Sequence, residues 1–76
     1  MDRNPIYIAV NVKYYREKLG ISQTELAEKL HIAQASVAKY ELGKTRPETK
    51  NLIELANIFG VSVDELCSPI RKKGKK

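Results

Sequence analysis

Apolar residues at Ile8, Val12, Tyr15 and Leu19 recur at spacings of four, three and four, the repeat of one buried stripe along an amphipathic helix. Gly20 ends that stripe, and Asn4-Pro5 ahead of it predicts a lead-in turn, since proline fits a first helical turn but not a helix interior. Ser22-Gln23-Thr24-Glu25 has the form of a capping box, in which the serine oxygen accepts from the Glu25 backbone N–H while the glutamate reaches back. A second helix starts there, turns Leu26, Ala27 and Leu30 inward and stops at His31, too short to be stable without neighbours. From Gln34 to about Glu41 a third helix turns Val37 and Tyr40 one way and Gln34, Ala35, Ala38 and Lys39 the other. Leu42-Gly43 closes it, and Gly43-Lys44-Thr45-Arg46-Pro47 is a polar loop. Leu52, Leu55, Ala56 and Phe59 form a fourth stripe that stops at Gly60. Ser62-Val63-Asp64-Glu65 repeats the capping box and predicts a short fifth helix carrying Val63, Leu66 and Cys67 as far as Ser68-Pro69.

Five short helices joined by short loops, with no strand alternation, predict an all-α domain. The chain of 76 residues holds one domain, expected over residues 8–68, with a lead-in at 1–7 and a basic, unstructured tail at 69–76. A core this small supplies stability of only about 3–5 kcal/mol. The formal net charge is +5, which favours polyanionic partners. Much of the basic excess sits in Arg71, Lys72, Lys73, Lys75 and Lys76, however, and a tail of this kind is ordinarily just solvated, so charge alone says little.

Several function classes drop out on composition. The single cysteine, Cys67, permits no intrachain disulfide and fits a reducing cytosol, and no apolar run or signal pattern suggests a membrane span or export, so a cytoplasmic protein is expected. No lipidation motif accompanies the lysine-rich end, so no membrane partner is expected. With His31 as the sole histidine there is no metal-ligand cluster, and no nucleophile–base pair or glycine-rich phosphate loop stands out. The expectation is a protein without metal, cofactor or catalytic activity.

The informative stretch runs from Gln23 to Glu41, where two short helices flank a three-residue joint, His31-Ile32-Ala33. A joint this tight sets the helices at a steep angle. Ala27 would let the backbones approach, Ile32 would plug the corner and Val37 would meet the first helix, leaving the outer face of the third helix free. Around it stand Arg16, Gly20-Ile21-Ser22-Gln23, Glu25-Leu26-Ala27, Ser36-Val37, Tyr40-Glu41, Gly43-Lys44, Arg46-Pro47, Leu52, Leu55-Ala56 and the run from Gly60 to Leu66. In order and spacing this set resembles the lambda-repressor-like helix-turn-helix family of phage repressors and their bacterial relatives, over most of the chain.

The resemblance implies a compact five-helix fold that binds double-stranded DNA, the third helix entering the major groove by its N-terminal end. Gln34 is then the foremost base reader, its amide matching the donor and acceptor of adenine N6 and N7. Ala35 offers a methyl to a thymine methyl, and Lys39 either reaches guanine or a phosphate or is an ordinary solvated lysine. Gln23 is implied to touch a phosphate and brace Gln34. Ser36 either approaches a phosphate or serves packing at the joint, while Lys44, Thr45 and Arg46 are implied to grip the backbone. Arg16 and Glu41 match positions that form a buried structural ion pair.

Two residues depart from the family pattern, which has glycine at the place of His31 and serine or threonine at that of Ala33. His31 is expected to take a left-handed backbone, and Ala33 cannot cap the third helix with its side chain. Val61, Val63, Leu66, Cys67 and Ile70 exceed what one short terminal helix would hide, so a homodimer contact through Val61, Val63, Leu66 and Ile70 is expected. The functional expectation is a dimeric transcriptional regulator, a repressor on a pseudo-palindromic operator. The alternative is an antitoxin or bridging module that uses the same fold to hold a protein partner.

Overall fold

The computed structural model describes residues 5–70, with side-chain surroundings from Tyr7 onward. The expected lead-in turn at Asn4 and most of the basic tail lie outside the described residues. Five helices follow in chain order: α1 (Pro5–Leu19), α2 (Gln23–Leu30), α3 (Gln34–Leu42), α4 (Thr49–Phe59) and α5 (Val63–Leu66). Pro5 is the first residue of α1, so residues 5–7, expected in the lead-in, are already helical.

Both predicted capping boxes are made. Ser22 Oγ accepts from the Glu25 backbone N–H at 3.0 Å while Glu25 Oε1 accepts from the Ser22 N–H at 2.8 Å. Ser62 and Glu65 do the same at the head of α5. The first four helices also end alike, in a Schellman motif in which the second residue past the helix donates back to the carbonyl five places earlier. Ile21 N–H reaches Arg16 O, Ile32 N–H reaches Ala27 O, Lys44 N–H reaches Lys39 O and Val61 N–H reaches Ala56 O. The motif needs one left-handed residue. Glycine supplies it after α1, α3 and α4, but after α2 it is His31, at φ 61°, the only non-glycine residue with positive φ among the described residues.

Ile21, Ile32 and Val61, at the donor position of that motif, fold back half-buried onto the core. The fourth residue at this position is Lys44, and it is exposed. The chain thus turns inward after α1, α2 and α4 but leaves a cation on the surface after α3.

The core draws on every helix: Ile8 and Val12 from α1, Leu26, Ala27 and Leu30 from α2, Val37 and Tyr40 from α3, Leu52, Leu55 and Ala56 from α4, and Leu66 from α5. Each large side chain removed from water contributes roughly 1.5–3 kcal/mol before entropy is charged against it. Tyr15 stacks on Phe59 with ring centroids 5.5 Å apart, joining α1 to the end of α4. Leu19 departs from its predicted stripe and is 49% exposed. It is the last residue of α1, and the chain reverses at Gly20 so that Ile21 takes the apolar place instead.

Leu66 overturns another expectation. It is fully buried within its own domain, as is Cys67 nearly so, and Leu66 is therefore unavailable to a dimer contact. Leu66 packs in the core cluster, and Asn11, on the inner side of α1 and itself 1% exposed, braces that placement. Its Nδ2 donates to Leu66 O at 2.7 Å and to Ser68 O at 2.6 Å, satisfying carbonyls at the C-terminal end of α5 and tying that helix to α1.

Candidate nucleic-acid interface

α2 and α3 form the two-helix unit, closed at the joint by Ala27 and Val37, both buried, with Ile32 half-buried between them. α3 packs on both α1 and α2, so its buried side is committed to the core. The other side is open: Gln34, Ala35, Lys39 and Leu42 are exposed, and Ser36 and Ala38 are half-buried.

One chain of hydrogen bonds runs from α1 to the head of α3. Arg16 Nε donates to Glu41 Oε2 at 2.7 Å, its Nη2 to Glu41 Oε1 at 3.2 Å and its Nη1 to Ile21 O at 2.8 Å. The two side chains are 12% and 4% exposed, so the forked pair lies largely out of water. The hydrogen bond to Glu41 raises the Arg16 pKa above its ordinary value despite an opposing desolvation effect, and the guanidinium is charged at any working pH. Glu41 Oε1 also accepts from Gln23 Nε2 at 3.0 Å, and Gln23 Oε1 accepts from Gln34 Nε2 at 2.6 Å.

This chain has only one consistent polarity. An ionised carboxylate is acceptor-only, so Gln23 must turn its NH₂ toward Glu41, which leaves its oxygen for Gln34, and Gln34 must donate. The Gln34 amide consequently keeps its oxygen and its second N–H free at the exposed start of α3. Gln23 likewise keeps one N–H. A free donor beside a free acceptor on a held amide is the pair that an adenine edge complements.

Lys39 on α3 and Lys44, Thr45 and Arg46 in the loop after it are all exposed, and the three cations make no ion pair among the described residues. The Lys44 and Thr45 backbone N–H groups are tied to Lys39 O, at 2.9 and 3.5 Å, so the loop is anchored to the helix it follows. Pro47 is buried and pins the other end of the loop. Ala33 and Glu48, at the heads of α3 and α4, make no side-chain cap, leaving the first amide donors of both helices unclaimed by side chains.

The structure therefore joins Gln23, Gln34, Arg16 and Glu41 in one connected group, while Ala35 and Lys39 on α3 and Lys44, Thr45 and Arg46 after it are exposed and Ser36 is partly covered. Val61, Val63 and Ile70 are half-buried, away from that group in sequence. Asn11 was not singled out as functional or structural from the sequence. Its place on the Ile8–Val12–Tyr15 stripe is the signal: a polar residue in an apolar stripe marks a buried hydrogen bond. The pairing of Asn51 Nδ2 with Tyr40 Oη at 3.0 Å, which ties α4 to α3, had no such signal.

Comparison with known proteins gives a consistent picture. The helix-turn-helix family model matches residues 12–66. The SPbeta prophage-derived uncharacterized HTH-type transcriptional regulator YonR of Bacillus subtilis is 44% identical over 55 residues, 72% of this chain and 51% of that protein. The cryptic phage CTXphi transcriptional repressor RstR of Vibrio cholerae is 35% identical over 52 residues, 68% of this chain and 46% of that protein. Among solved structures, the hypothetical transcription factor NHTF from Neisseria superposes with a TM-score of 0.80 at 25% identity, over 91% of this chain and 82% of that one. The chain spans about half the length of the curated relatives it matches first.

Proposed function

The chain belongs to the lambda-repressor-like, XRE-type family of helix-turn-helix proteins, and on that premise we propose that it is a transcriptional regulator that binds double-stranded DNA in a sequence-specific manner. The observation that carries this reading is the chain Arg16–Glu41–Gln23–Gln34, which presents an oriented amide at the exposed head of α3. In this reading α3 lies in the major groove, Gln34 reads a base, and Ala35 and Lys39 contact neighbouring bases. Gln23, Ser36, Lys44, Thr45 and Arg46 meet phosphates and set the register. The regulator acts as a homodimer on a pseudo-palindrome with half-sites about one helical turn apart, through a contact that uses Val61, Val63 and Ile70 without Leu66. Repression follows from occupying a promoter, and the relative RstR is named a repressor.

Fluorescence anisotropy on a duplex enriched from a random pool tests this. Gln34→Ala should lose about 5- to 150-fold in affinity for that duplex, the equivalent of about 1–3 kcal/mol, while keeping its weak binding to unrelated DNA. Binding of wild type to no duplex above the background of a basic protein would sink the reading. The second reading, an antitoxin or bridging module, is favoured by one observation: Tyr7, Val10 and Tyr14 stand exposed at spacings of three and four along α1. A stoichiometric protein complex that excludes DNA binding would support that reading.

A further inference from the structure

Leu42 is the most exposed large apolar side chain among the described residues, at 69%. It is the last residue of α3, and its position on that helix gives the exposure a meaning. Ala35, Ala38, Lys39 and Leu42 stand at i, i+3, i+4 and i+7, which places them in one stripe along one face. That face is the one turned away from the core, opposite Val37 and Tyr40. The stripe is about 10 Å long, from the rise of 1.5 Å per residue, or about three base steps of 3.4 Å. Gln34 stands at its head and the cations Lys44 and Arg46, without an ion pair among the described residues, follow its end, so the surroundings suit a polyanion while the stripe itself is mostly hydrocarbon. Lys39 is its only polar member.

We propose that Leu42 is a further base-reading residue and that, with Ala35 and Ala38, it makes the reading face selective for methyl groups in the major groove. The inference rests on the DNA-binding reading above. A hydrocarbon side chain forms no hydrogen bond with a base edge, so it distinguishes bases only by what apolar surface they show. In the major groove that surface is the C5-methyl of thymine, or of a methylated cytosine. Two alanines are short enough to let the backbone of α3 come close, and Leu42, three carbons longer, reaches farther where the helix end draws away from the groove floor. The half-site this face fits carries Gln34's partner adenine followed by pyrimidines bearing C5-methyl groups.

The test uses the duplex enriched from a random pool, remade with deoxyuridine at one thymine of the half-site at a time. Uracil keeps every hydrogen-bonding atom of thymine and lacks only the methyl. Wild type should lose about fourfold at each contacted position, the worth of one buried carbon. Replacing such a thymine by cytosine and by 5-methylcytosine should show the methylated base bound about fourfold more tightly. Leu42→Ala, at a site too exposed to disturb the core, should stop distinguishing thymine from uracil at one position while still doing so elsewhere. Equal binding of the thymine and uracil duplexes at every position overturns the inference, and full discrimination by Leu42→Ala removes Leu42 from it. If uracil is tolerated throughout while Gln34→Ala still loses the duplex, only the methyl inference fails. If wild type enriches no duplex, the DNA-binding reading fails and takes this one with it.

Discussion

Arg16 and Glu41 show what a single residue carries in a domain this small. Glu41 is 4% exposed and accepts from both Arg16 and Gln23, so Arg16→Ala strands a carboxylate out of water. The cost of breaking such a pair is about 3–5 kcal/mol, similar to the whole stability expected of the fold. Arg16→Ala should therefore be largely unfolded at 25 °C by circular dichroism, whereas Glu17→Ala, at the exposed partner 3.9 Å away, should change stability by under about 1 kcal/mol. Tyr15 contributes to the alkaline side of the stability profile. Burial first, then the Glu65 charge and Tyr14, raise its pKa above the ordinary 10.0. The folded protein thus holds a proton that the unfolded chain loses, and stability present below pH 10 falls as pH rises past it. Tyr15→Phe should flatten that decline in urea titrations between pH 9 and 11; an unchanged slope would assign it to other groups.

At the scale of the element, the α2–α3 joint is where local chemistry is weakest. His31 holds a left-handed backbone that glycine adopts without penalty, and Ala33 sits in extended N-cap geometry, φ −75° and ψ 149°, with no side-chain oxygen to offer. His31→Gly and Ala33→Ser should each stabilise the domain by about 1 kcal/mol, or roughly 4–8 °C in melting temperature. Calorimetry of the two variants and their combination checks this. The joint persists without these aids because tertiary packing outweighs them: Ala27, Val37 and Ile32 close the corner, and Gln23 bridges the heads of both helices.

At the scale of the molecule, the proposed homodimer needs a face that is open to a second copy. Leu66 is held inward by Asn11 acting on the carbonyls after it, so the proposed contact near α5 is reduced to Val61, Val63 and Ile70. Ile70 stands outside the core cluster, and Ile70→Asp should convert a dimer to monomer in analytical ultracentrifugation without lowering the melting temperature. If Val10→Asp on the exposed side of α1 does so instead, the α1 face is the contact. A loss of dimer should also cost more than tenfold in affinity for a palindromic duplex, since each half-site alone supplies few polar base contacts.

Helix ends and stripes were readable from the chain because they are made by residues within five places of one another. Ser22 finds Glu25 and Ser62 finds Glu65 three places on, within one turn of the same helix. The family resemblance added the pairing of Arg16 with Glu41 and of Gln23 with Gln34, which spacing alone does not supply. Only the tertiary structure decided that Leu19 stays out and Leu66 goes in, and that Asn11 closes α5 from 55 residues away. The same holds for Leu42, left uncovered on the outer face of α3. An apolar pattern states which side chains gain by burial. Which of them finds cover depends on the partners that distant segments bring, and those are set by packing the whole chain at once.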